Sequence, residues 1–139
     1  MNAKRIILSG VILWIIGTIF MMLTCGWLFS WVYKLPPNIW LEPEQIMSTN
    51  NFIGSNIAGI GRSLILALVF AILYKGLPFE GIKKGVFYGV LVWMVGALSG
   101  MASMPFYMSI NTTVVVYWII QALVLTIING IILGLVYKE

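Results

Sequence analysis

The sequence predicts an all-α integral membrane protein with four transmembrane helices, arranged as two parallel, quasi-repeated helical hairpins. Three observations carry this. Of 139 residues, 61% are hydrophobic and 9% charged, where soluble domains carry about 25% charged residues. Four apolar stretches reach the length of about 20 residues that crosses a hydrocarbon core. The cations Lys4, Arg5, Lys75, Lys83, Lys84 and Lys138 cluster at stretch ends and share one side if the chain crosses four times. Positive residues mark the cytoplasmic side, so both termini are expected inside a multi-pass protein of the cell membrane.

The chain reads as one domain, 1–139, with spans at 6–33, 52–74, 85–104 and 114–137. Span one follows Lys4-Arg5, and "MLTCG" around Cys25 faintly resembles a lipoprotein cleavage site. Thr24 is a poor residue before such a cut, and "WLFSWVY" continues the apolar run, so an uncleaved span is expected. In the outer loop, 34–51, "LPPNIW" reads as extended chain because each proline restricts its predecessor. Pro43 suits the first position of a short outer-loop helix, with Glu44 favourable in its first turn. Trp27, Trp31, Tyr33 and Trp40 form an outer aromatic belt. Asn111-Thr112-Thr113 matches a glycosylation sequon but lies too close to the membrane for one.

Spans one and three look alike. "GVILWIIG" (Gly10–Gly17) and "GVLVWMVG" (Gly89–Gly96) share Gly, then Trp four residues on, then Gly three further. The match runs on, with Met22 opposite Met101 and Cys25 opposite Met104. At about 100° per residue, Gly10, Trp14 and Gly17 share one stripe, and Gly89, Trp93, Gly96 and Gly100 another. Small residues let helices approach closely in lipid, so these are candidate packing positions. Each Trp is expected to face its quasi-symmetric mate, and the hairpins to pack along spans one and three.

Composition excludes much chemistry. The chain lacks His and Asp and has one Cys, which removes the commonest general base and the usual triads. No enzyme activity and no cofactor are expected. A net charge of +4, held at segment ends, does not point to nucleic acid. The expected partners are membrane lipid and either a second copy or another membrane protein.

Arg62 is the sharpest candidate. It precedes Tyr74 by 12 residues, about 18 Å of helix, slightly to the outer side of the midplane of a core of about 30 Å, where a cation is costly and marks a functional site by default. Asn51, Ser55 and Arg62 share a stripe. The second half has Leu125 where the first has Arg62, and it lacks the loop bearing Glu42 and Glu44, so cation and acids are expected to pair. An anion- or headgroup-binding role and an ion-pathway role stand beside that one. Gln121 and Asn129 in span four suit hydrogen bonds to a neighbouring helix or the lining of a polar path. Met22, Cys25, Met101 and Met104 form a speculative soft-metal set, since sulfur favours Cu(I). Met104-x3-Met108 resembles the Met-x3-Met of copper-uptake channels, over five residues. The expected function is a non-catalytic binding or assembly subunit. The alternative is a small transporter or channel for an anion, a small polar solute or Cu(I).

Overall fold

The computed structural model describes residues 2–137; Lys138, counted above among the inner cations, lies outside them. Four helices are long and apolar enough to cross a membrane: α1 (Ala3–Leu28), α3 (Thr49–Leu73), α4 (Gly81–Phe106) and α5 (Thr112–Val136). A single turn, α2 (Pro43–Ile46), with Pro43 at its start and Glu44 in its first turn, lies between α1 and α3. No strand occurs among the described residues. The helices run up and down, which gives the bundle a near end (Ala3, Leu73, Gly81, Val136) and a far end.

Local chemistry sets the helix ends. Asn2 caps α1, its side chain accepting from the Arg5 amide at 3.3 Å. Asn111 caps α5, accepting from the Thr113 amide at 2.9 Å, and donates to the Pro36 carbonyl at 3.1 Å. The sequon asparagine is thus engaged on both sides of its amide. At the end of α3, Lys84 Nζ donates to the Tyr74 carbonyl at 2.8 Å and sits 4.1 Å above that ring. A cation there meets the negative end of the helix dipole.

Two helices widen by a turn: α1 at Thr24–Leu28 and α4 at Trp93–Leu98. In α1, Thr24 Oγ donates to the Phe20 carbonyl at 2.8 Å, and the Phe29 amide reaches back five residues to the Thr24 carbonyl at 2.8 Å. In α4, the Ser99 hydroxyl bonds the Val95 carbonyl. In both places a hydroxyl bonds a carbonyl four residues back, a contact that bends helices. Span one, expected to run to residue 33, gives way here. After Leu28 the chain continues as a tighter turn at Ser30–Lys34.

The packing differs from the expected arrangement. α1 packs on α3, α4 on α5, and the pairs meet mainly through α1 and α5 rather than through spans one and three. The reason is the face that α4 gives to α5. A Cβ on Gly85 would collide with the Gly130 carbonyl, one on Gly89 with that of Thr126, and one on Gly134 with that of Gly81. Backbone meets backbone along this seam, so these glycines are used within the pair. Neither Trp faces its mate: Trp14 covers Gly59 of α3, and Trp93 Nε1 donates to the Ile119 carbonyl of α5 at 2.8 Å. Gly10 lies against Leu64 of α3, whereas Gly17, Gly96 and Gly100 have open space where a Cβ would go. Contrary to expectation, those three glycines do not pack against a neighbouring helix.

The near half is closed by aromatic rings. Phe70 is fully buried, with ring centroids 5.7 Å from Tyr74, 5.1 Å from Tyr88 and 5.9 Å from Tyr137. Tyr74 and Tyr137 stack edge-on at 5.2 Å. Tyr88 also donates to the Leu66 carbonyl at 2.8 Å, tying α4 to α3. Ile6, Leu13 and Leu133 complete this core.

Candidate functional site

The far half is open. A cavity of about 500 Å3 lies there, lined by all four long helices. Met21 comes from α1 and Arg62 from α3; Val92, Gly96, Ala97 and Met101 come from α4; Trp118, Gln121, Ala122, Leu125 and Thr126 come from α5. The wide turn of α4 supplies Gly96 and Ala97. Such turns recur at functional sites because they re-aim the residues beyond them.

Depth follows from helix rise. Tyr74 and Tyr137 touch, so Arg62 and Leu125, each 12 residues away, stand level at about 18 Å above them. Gln121 is one turn higher, about 24 Å. Arg62 therefore belongs to the deep part of the cavity, and Gln121 and Trp118 to its mouth. Below, Leu66, Tyr88, Val92 and Leu133 leave no room for water. Asn129 is buried there, and its Oδ1 has no hydrogen-bond partner among the described residues.

Arg62 remains exposed to the cavity side. Among the described residues its guanidinium makes no hydrogen bond and no ion pair. The expected pairing with Glu42 and Glu44 is not formed: both acids are exposed on the connecting loop. The loop folds instead onto its own helix and α5. Asn51 Nδ2 donates to the Gln45 carbonyl at 2.8 Å, and Trp40 packs on Tyr33 and Trp118. Asn51 and Ser55 stay outside the cavity lining, and Ser55 bonds the Phe52 carbonyl of its own helix at 2.9 Å. An Arg at a span centre costs about 2.5 to 3.5 kcal/mol on insertion scales.

The cavity mouth is a hydrogen-bonded cluster. Gln121 Nε2 donates to Thr24 Oγ at 2.6 Å and to Cys25 Sγ at 2.9 Å, with Met21 Sδ at 3.5 Å. Tyr33 donates to Cys25 Sγ at 3.2 Å and accepts from Trp118 Nε1 at 3.1 Å. Tyr117 lies 3.8 Å from the same sulfur. Burial, then the hydrogen bond to Cys25, push the Tyr33 phenol above its ordinary value of 10.0, so it stays a neutral donor. Neither known protein families, curated proteins nor solved structures match this chain.

Of the soft-ligand set, Met22 is 69% exposed, and its neighbour Met21 meets Gln121 instead. Met101 lines the cavity, Cys25 belongs to the mouth cluster and Met104 is half-buried outside the lining. Met21, Thr24, Tyr33, Tyr117 and Trp118 are additions of the fold. Of these, Thr24 had a readable signal, as a hydroxyl deep in an apolar run. Gln121→Leu is expected to destabilise the bundle by about 0.6 to 2 kcal/mol, the range for hydrogen bonds between membrane helices. Denaturation in mixed micelles measures it, with Ile120→Ala on the exposed face as the unaffected control.

Proposed function

We propose that this chain is a non-catalytic binding protein of the membrane, which takes an anionic group against Arg62 in its far-half cavity. In this reading both termini are cytoplasmic and the cavity faces outward. The observation that carries it is a guanidinium without a partner, at the deep end of a cavity whose floor is sealed. A planar fork of five donors suits phosphate or carboxylate oxygens, and the mostly apolar walls strengthen any charge contact. The sealed floor favours binding over conduction. A carrier would need the Phe70, Tyr74, Tyr88 and Tyr137 rings to part; Ser9 Oγ, Asn129 Oδ1 and Tyr137 OH, buried without hydrogen-bond partners among the described residues, are polar atoms such a path could use.

The test is calorimetric titration of the purified protein in mild detergent with inorganic phosphate and with a short-chain phosphatidic acid. Saturable binding of either is expected, weakened at least tenfold by Arg62→Gln. Because the Arg62 side chain makes no hydrogen bond or ion pair among the described residues, that variant should fold normally. Absence of binding, or binding indifferent to Arg62→Gln, would defeat the reading.

A further inference from the structure

The near end carries a groove of its own, apart from the Arg62 cavity and independent of the reading just given. We infer that it holds a phospholipid of the near leaflet, with its phosphate on Lys83 and one acyl chain lying along α4 against Phe79.

The groove has a volume of about 410 Å3 and is lined by Phe79, Ile82, Lys83, Val86, Phe87 and Val90. Residues four apart stand above one another on a helix, so Ile82, Val86 and Val90 form one row and Lys83 and Phe87 the next. Phe79 comes from the turn that precedes α4 and meets Phe87 edge-on, with ring centroids 5.8 Å apart. Its placement strains the backbone. Phe79 has a φ of 69°, a conformation that bulky residues rarely adopt and glycine takes freely. The side chain is 59% exposed, so contact with the protein does little to offset the strain. Outliers of this kind concentrate at ligand clamps, and a hydrocarbon chain packed against the ring would supply the missing contact.

Charge and depth specify the rest of the molecule. Among the described residues lining the groove, Lys83 alone is polar. Its ammonium makes no hydrogen bond or ion pair among the described residues, not even with Glu80 one turn before it. Its neighbour Lys84, by contrast, is held by the Tyr74 carbonyl at 2.8 Å. No side chain caps the first amides of α4, so the positive end of that helix adds to Lys83. Tyr74 and Tyr137 touch at this end, where such rings mark the headgroup level, and the bond from Lys84 sets the start of α4 beside them. Lys83 therefore stands at the rim of the spans. Val90 lies seven residues on, about 10 Å deeper, within a half-core of about 15 Å. A lipid of the near leaflet presents its phosphate at the rim and its chain toward the midplane, in the same order as Lys83 and the apolar rows. Free phosphate would meet Lys83 alone and leave those rows without a partner.

The experiment is native mass spectrometry of the protein titrated in mild detergent with dioleoyl phosphatidylglycerol or with dioleoylglycerol, which has the same chains and no phosphate, beside calorimetry with inorganic phosphate. All of it is done on Arg62→Gln protein, so that the far-half cavity does not contribute. One retained phosphatidylglycerol is expected, held about fivefold more weakly once Lys83→Gln is added, the share of one cation at a charged lipid surface. Lys4→Gln, which removes an exposed cation at the same end, should leave retention as it was. Phe79→Gly should weaken retention severalfold with unchanged circular dichroism, although it relieves the backbone. Dioleoylglycerol held as tightly as phosphatidylglycerol would overturn the phosphate contact. Inorganic phosphate bound as tightly as the lipid would overturn the lipid as occupant. Equal weakening by Lys4→Gln and Lys83→Gln would trace the effect to surface charge and overturn the site, as would retention indifferent to both Lys83→Gln and Phe79→Gly in folded protein.

Discussion

Gly130→Ala is expected to destabilise the bundle by about 1 to 3 kcal/mol, the usual cost of overpacking. The added methyl falls on the Gly85 carbonyl, and a backbone atom cannot rotate away. α4 and α5 must separate, which loosens Gly89 against Thr126 and Gly134 against Gly81 at the same time. Gly17→Ala gives the opposite sign. Its Cβ meets open space, and replacing glycine within a helix gains up to about 1 kcal/mol. Unfolding both variants in mixed micelles compares them directly. Equal behaviour would mean that the α4–α5 seam is not a backbone contact.

Phe70→Ala is the second large effect. The ring is fully buried and meets three tyrosines. Removal of a buried Phe costs about 3 to 5 kcal/mol in soluble cores, in part through the cavity left behind. In lipid the cavity and lost dispersion contacts carry the loss, because transfer out of water contributes little between helices. Phe70→Leu should lose much less. Phe70→Ala should also expose the cavity to the near side. A cysteine placed at Ala71, buried in the parent, should then react with a small thiol reagent added from that side. An unreactive cysteine in a folded Phe70→Ala protein would show that the floor is sealed by something other than these rings.

The four spans were legible because apolar length is a property of each stretch alone. Their ends were less so. Span one reads as apolar to Tyr33, yet the hydroxyl of Thr24 and the wide turn after it divide that run in two. The helix pairing was not legible. A stripe such as Gly89, Trp93, Gly96, Gly100 states which residues share a face, not which helix covers them. Gly89 faces α5, while Gly96 opens on the cavity. The spacing Gly85-x3-Gly89 and Gly130-x3-Gly134 was the better guide to close approach. Arg62 stood out because a cation deep in a span is costly wherever its neighbours lie. Its expected acidic partners followed from their occurring with the cation in one half of the quasi-repeat, and co-occurrence holds no distances. Gln121 and Thr24 were each visible as polar residues, but their meeting depends on α1 packing beside α5.

The wide turns in α1 and α4 have a consequence for how this chain tolerates change in length. Each is a helix carrying one residue more than its regular turn would hold, and one residue corresponds to about 100° of rotation. Deleting a single residue between Trp93 and Leu98 would restore regular winding and leave the remainder of α4, Met101 with it, in its present phase. The same deletion in the regular stretch between Gly89 and Trp93 would swing everything beyond it by that angle, while the seam of Gly85 and Gly89 would keep its phase. The wide turns are therefore the places where these two helices can lose a residue without turning the far half away from the cavity.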